Sequence, residues 1–328
     1  MERWKCASSR DLFDLVSRHA SSSISPPPLK SEDGDVSECS GERLALWCSP
    51  TSWVTYLELV SRARHMTAII EPILQLHTNG HDGTPLVLVR TEREACLIVA
   101  LLGILGSGAA FVPMDPEHPL SRQRLIAECS EATLAVVSLE IWTKESHQGA
   151  KDLEWRNLLG PFVRTVVCID RRGAPIKTIQ LGTLQDAGAA DEDANEDKVH
   201  EARPPGVAGL AYVMFTSGST GVPKGVLVRA SGVGALLYSF AHHNPNLVEG
   251  GFGCCGSSKH HKDALLAVTT VAFDISVLEL LLPLVTGATL VLASPTASRS
   301  ASALTSMLNF GTTEQSYQAS SVESSGGR

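Results

Sequence analysis

The sequence predicts an α/β fold built on a largely parallel sheet covered on both faces. Two observations carry this. Short, continuously apolar runs at 85–90, 133–137, 163–169 and 208–215 have the length and β-branched content of strands buried on both sides. Helix-length segments lie between several of them, so the chain alternates as βαβ units do. With 328 residues it is long enough to bury a large core in one or two units.

Taken in order, residues 1–40 read as a flexible leader. Apolar periodicity fades after Val16, and 21–28 and 31–35 are rich in Ser, Pro and acidic residues. A helix is expected over 55–70, opened by a capping box in which Thr55 caps and Glu58 follows three residues later. Strand 85–90, helix 92–105, helix 119–129, strand 133–137 and strand 163–169 follow. The glycines at 106 and 108 fit a helix C-cap and the turn after it, a structural role. Residues 171–206, with an acidic run over 191–197, read as a solvated loop insertion. Strand 208–215, strand 264–269, helix 275–285, strand 288–293 and a helix at 301–309 complete the core, so 41–310 forms the folded unit. Residues 311–328 are expected to be a disordered, Ser/Gly-rich polar tail.

Composition excludes several classes. A formal net charge of -8 argues against nucleic acid or an anionic membrane as partner. No stretch is long and apolar enough to span a bilayer, and Arg3, Lys5 and Arg10 are not followed by the apolar core of a secretory signal. The cysteines at 6, 39, 48, 96, 129, 168, 254 and 255 show no C-x-x-C spacing, which suits a reduced, cytoplasmic setting. The adjacent pairs His242/His243 and His260/His261 do not share a helical face and read as exposed loop rather than metal ligands. Residues 251–256 match G-x-G-x-x-G as a string, but no strand precedes them, so a dinucleotide site is not expected.

The chemistry concentrates at 212–228. A buried strand runs into Thr216, Ser217, Gly218, Ser219, Thr220 and Gly221, then Lys224, then a second strand at 226–228. Glycines let the backbone turn its N–H groups toward an anion, hydroxyls donate to phosphate oxygens, and the lysine adds a mobile positive charge. These residues point to a nucleoside triphosphate. The plain alternative is a Ser/Gly-rich turn between two strands. A Walker loop is excluded, because Pro223 precedes the lysine, Gly225 follows it, and a strand rather than a helix comes next. A nucleophile elbow centred on Ser219 fails because Ser217 stands where its first glycine would be.

The run from Tyr212 to Val226 resembles the phosphate-binding signature of adenylate-forming enzymes, and is most similar to that of nonribosomal peptide synthetase adenylation domains. Residues 55–59 resemble that family's first core motif and 102–116 its second. Residues 265–280, where an apolar strand ends in Phe273-Asp274 and a helix begins, resemble its fourth. The resemblance covers about 41–295. It implies the large N-terminal subdomain of the adenylate-forming fold, mainly parallel sheets flanked by helices. It further implies ATP with Mg²⁺, whose protein ligands the sequence does not name. Thr216 to Gly221 and Lys224 would hold the ATP phosphates, with Thr216 and Lys224 in the catalytic role. Asp274 would pair with the α-ammonium of an amino-acid substrate; by position alone it also suits a helix N-cap. A carrier-protein domain on another chain is the implied partner.

The chain departs from the family pattern at 240–263, which is Gly/Cys/His-rich, and again after 295. Nothing there resembles the later Asn-x-Tyr-Gly-Pro-Thr-Glu and Thr-Gly-Asp segments. The expectation is therefore a partial subdomain with the C-terminal subdomain absent and activity impaired. Two alternatives stay open beside amino-acid activation: an acyl- or aryl-acid–CoA ligase of the same superfamily, and a non-catalytic, ATP-binding remnant.

Overall fold

The computed structural model describes residues 6–21, 43–77, 83–146, 159, 162–181, 208–216, 223–243 and 264–308. Its strands form two sheets. The larger contains β3 (Leu86–Arg90), β4 (Ala110–Pro113), β5 (Leu134–Ser138), β6 (Thr165–Ile169), β7 (Pro175–Gln180), β8 (Leu210–Thr216) and β9 (Lys224–Arg229), in the order β7-β6-β5-β3-β4-β8-β9. The five central strands run parallel, and β7 and β9 are antiparallel edges. The smaller sheet has the order β10-β11-β1-β2, from β10 (Ala264–Ala267), β11 (Thr289–Leu292), β1 (Leu44–Ser49) and β2 (Ser52–Thr55).

Side-chain alternation explains how the central strands bury both faces. Val87 and Val89, Leu134 and Val136, and Val167 and Ile169 point into one core. Their neighbours Leu86 and Leu88, Ala135 and Val137, and Val166 and Cys168 point into the other. The second core is closed by α4 (Leu120–Ser130) and α5 (Leu139–Ser146). The first lies between the two sheets. It is filled by α1 (Ser9–Ser21), α2 (Tyr56–His77), α3 (Ala95–Gly106), α6 (Ala230–His243) and α7 (Ile275–Thr286). On the far face of the smaller sheet, Val291 and Ala293 pack against Met307 of α8 (Ala301–Leu308). Helix, sheet, helix, sheet and helix layers result.

Helix α3 is apolar all round and buried at every position, as such a helix must be. It approaches α2 closely because a Cβ on Gly103 would lie 2.4 Å from Met66 Cγ. It ends as the sequence implied. The N–H of Ser107 returns to the Gly103 carbonyl, and Gly108 takes φ +85°, a left-handed conformation that glycine tolerates. The capping box at α2 is also present. The Thr55 N–H donates to Glu58 Oε2 and the Glu58 N–H donates to Thr55 Oγ1, each at 3.3 Å.

Three expectations need correction. The leader is not uniformly flexible, since residues 9–21 form α1 with Leu12, Leu15 and Val16 buried between the sheets. The insertion at 171–206 is not all loop, since Pro175–Gln180 is a strand on β6. His242 and His243 end α6 rather than lying in a loop, because the apolar recurrence from Ala230 to Ala241 carries the helix that far. Residues 22–40, the acidic run, residues 251–256, the pair at 260–261 and the tail at 311–328 lie outside the described residues.

Candidate functional site

Strand order reverses around β3. The chain passes from β3 to β4 on one side, then crosses to β5 on the other. In open α/β sheets the crevice beyond the carboxyl ends of such strands receives ligands. Loop 91–94 leaves β3 there and loop 114–119 leaves β4. Next to β4, β8 delivers Thr216 at its exposed end.

Thr216 and Lys224 face each other across the antiparallel β8–β9 ladder. The Thr216 hydroxyl lies 3.4 Å from the Lys224 carbonyl, and both side chains are exposed. Ser217, Gly218, Ser219, Thr220 and Gly221 lie outside the described residues. The hairpin is braced from below by Arg122 of α4, which donates from Nη2 to the Phe215 carbonyl at 3.1 Å. An exposed cation and hydroxyl at the carboxyl end of a buried strand suit phosphate oxygens.

Asp274 sits between β10 and α7 and is exposed. It does cap the helix, accepting from the Ile275 N–H at 2.8 Å. Its backbone is helical (φ -60°, ψ -33°) and the donor is the very next residue, whereas typical caps use extended backbone and a donor two or three residues on. The carboxylate is exposed while capping, flanked by Phe273 and Ile275, 59% and 56% exposed. Tyr212 of β8 is buried beside β4. Burial raises its phenol above the ordinary range, and the Asp274 charge raises it further. Its ring stacks on Phe111 of β4, centroids 5.5 Å apart.

Residues without a role in the sequence motifs' own chemistry hold the crevice together. Thr270 donates its hydroxyl to Asp115 in the loop after β4. Arg299 pairs with Glu117 in the same loop. Arg93 donates from Nε to the Ala293 carbonyl at 2.8 Å, joining the end of β3 to the end of β11. Burial lowers Arg93 from the usual guanidinium range, and the charges of Glu279 and Asp115 partly offset this. Arg90, 2% exposed, donates from Nε to Gln123 at 2.6 Å, and Gln123 in turn holds the His118 carbonyl at 2.7 Å. Asp115 and Glu279 lie within the motif stretches; the partner of Asp115 comes from a distant segment, whereas Glu279 bonds Val268 and Thr269 of its own stretch. Among the described residues, no group of three or more His, Cys, Asp or Glu could hold a metal ion. No described helix is long and apolar enough to cross a membrane.

A two-sheet α/β scaffold with a crevice at the carboxyl ends of its parallel strands defines a class of ligand-receiving α/β protein. The family model of AMP-binding enzymes matches residues 35–313, and the chain belongs to that family. It is 30% identical over 239 residues to one of the linear gramicidin synthase proteins of Brevibacillus parabrevis, covering 73% of this chain and 2% of that protein. It is 30% identical over 267 residues to a dimodular nonribosomal peptide synthase of Bacillus subtilis (strain 168), covering 81% and 9%. The chain thus spans less than a tenth of either relative. Among solved structures it is similar to holo-AB3403, a four domain nonribosomal peptide synthetase bound to AMP and glycine. That match has a TM-score of 0.55 and 25% identity, and covers 94% of this chain and 18% of that one. The N-terminal subdomain of Klebsiella oxytoca NpsA shares the fold, with a TM-score of 0.51 and 20% identity over 89% of this chain and 56% of that one. The fold is that of the N-terminal subdomain of adenylate-forming enzymes.

Proposed function

We propose that the chain activates an amino acid with ATP, forming an aminoacyl-adenylate and releasing pyrophosphate, as a step in nonribosomal peptide synthesis. The observation that supports this is the exposure of Asp274 in a turn that Thr270 joins to Asp115 of the loop after β4, the strand beside the one that carries Thr216. Asp274 would bind the α-ammonium and so orient the substrate carboxylate toward the α-phosphate. Lys224, Thr216 and residues 217–221 would hold the β- and γ-phosphates and offset charge that develops on the leaving pyrophosphate. Mg²⁺ would be held largely through phosphate oxygens and water, as it usually is in such sites. The relatives named above are peptide synthetases, and AMP with glycine is bound in holo-AB3403. A carrier-protein domain is the proposed acceptor and a cytoplasmic setting the proposed location; the five described cysteines are free thiols.

The test is ATP–pyrophosphate exchange driven by each of the proteinogenic amino acids. Exchange is expected with one or a few. Lys224→Ala should lower it about 10²–10³-fold, the scale of losing one charge-stabilising donor. Asp274→Asn should raise the amino-acid KM and spare the KM for ATP. CoA thioester formation that is indifferent to Asp274→Ala would point to a CoA ligase instead. ATP binding without exchange would point to a non-catalytic binder.

A further inference from the structure

We infer that Glu279 is a positioning residue for the substrate amine, acting through the turn that carries Asp274; this rests on the reading of Asp274 given above. Asp274 is exposed, so packing around its own side chain does not fix where the carboxylate stands. The turn at 268–274 does, and it is held at three places. At its start, Glu279 reaches back from the second turn of α7. Its Oε2 accepts the N–H groups of Val268 and Thr269, both at 2.9 Å, and its Oε1 accepts the Thr269 hydroxyl at 2.7 Å. At its middle, Thr270 donates to Asp115 of the larger sheet's loop. At its end, Ser276 donates from its hydroxyl to the Phe273 carbonyl at 2.6 Å, and Asp274 accepts from Ile275.

Glu279 is the one of these that binds the start of the turn to the helix that follows it. It closes residues 268–279 into a loop whose two ends cannot separate without breaking three hydrogen bonds. A carboxylate suits the task because it only accepts, and three donors converge on it. A carboxamide of the same shape could keep all three contacts, its oxygen accepting the two amides and its N–H₂ donating to a Thr269 hydroxyl turned to accept, so only truncation to Ala removes the clasp. Arg93 fits the same arrangement from the other sheet. Its Nη1 and Nη2 are buried and without hydrogen-bond partners, and Glu279 and Asp115 are the carboxylates whose charges act on it. A shift of about 1 Å in a positioning group can cost about 10²-fold in rate, so this clasp governs how well Asp274 meets an ammonium.

The experiment compares wild type, Glu279→Ala, Asp274→Asn and the double variant in two readouts. The first is amide hydrogen exchange in the free protein. The second is KM for ATP and for whichever proteinogenic amino acid drives exchange best in wild type. Glu279→Ala is expected to lose at least ten-fold protection at the Val268 and Thr269 amides. It should raise the amino-acid KM at least ten-fold and leave the ATP KM within two-fold. In the Asp274→Asn background it should have no further effect on that KM, because residues acting through one contact are not additive. Thr269→Val, which removes one of the three donors, should show the same pattern at smaller amplitude and carries the test if Glu279→Ala does not fold. Unchanged protection, or an equal KM effect with Asp274 already replaced, overturns the inference. Should wild type support no exchange with any amino acid while Glu279→Ala still releases the two amides, the functional reading fails. Glu279 is then a structural clasp and not a positioning residue.

Discussion

At the scale of the residue, the inner end of the helical layer turns on His19 and Tyr56. Tyr56 is 1% exposed, and its hydroxyl lies 2.7 Å from the Ala288 carbonyl with those of Pro283 and Leu284 nearby. His19 packs against its ring and meets the Val285 carbonyl at 2.9 Å. Burial lowers the His19 pKa from its ordinary 6.5; the Val285 carbonyl opposes this, and Arg43 and Arg18 add to it. The folded state therefore prefers the neutral ring, and below pH 6.5 the unfolded chain binds more protons. Stability from this group is fully present above pH 6.5 and is lost as the pH falls through the lower folded value. Urea melts at about pH 7.5 and about pH 5.5, on either side of the ordinary histidine range, should show a larger loss for wild type than for His19→Gln. Equal losses would remove His19 from the account. Residue type and order make Thr216, Lys224 and Asp274 legible as candidates, because their chemistry is carried by the side chain itself. The anchoring roles of Asp115 and Glu279 are not legible. Asp115 meets Thr270 across a sequence separation of 155, and only the fold supplies that neighbour.

At the scale of the element, local signals succeed where one short segment contains the whole cause. The capping box at Thr55 and Glu58 is such a case. Thr55→Ala should cost about 1 kcal/mol, the usual worth of an N-cap side chain, seen as a lower denaturant midpoint at unchanged slope. An unaltered midpoint would show that packing alone holds the end of α2. Elements escape notice where weak local signals compete. In α1 the apolar residues are crowded into 12–16, and the Ser/Pro run that follows masks them. In α6 glycines at 232 and 234 obscure the recurrence of Ala230, Val233, Leu237 and Ala241, all of which are buried. β1 and β2 form a hairpin across a two-residue link, a pattern present in the sequence but lacking the usual Asn-Gly or Asp-Gly turn. β7 is mostly exposed, so its residues need not be apolar, and it resembles the charged loop around it.

At the scale of the whole molecule, α1 is part of the mortar between the sheets. It contacts α2, α3, α6 and α7. Leu12, Phe13, Leu15 and Val16 are 1%, 7%, 5% and 0% exposed. Burying four such side chains contributes on the order of 6–12 kcal/mol, comparable to the ~5–15 kcal/mol by which a domain is stable at all. A chain lacking residues 1–21 should therefore not give a cooperative thermal transition by circular dichroism, and should elute as aggregate. A cooperative melt within a few degrees of wild type would show that the helix is dispensable. The smaller sheet has a consequence for how the molecule is made. β1 lies beside β11, and the Thr289 hydroxyl bonds the Leu44 carbonyl 245 positions away. At roughly 5–20 residues per second on the ribosome, β1 is synthesised on the order of 12–50 s before its parallel neighbour. The strand that opens the sheet waits, apolar and unpaired on that side, until the 245 positions up to Thr289 have been made, an interval in which this topology leaves its edge open to wrong partners.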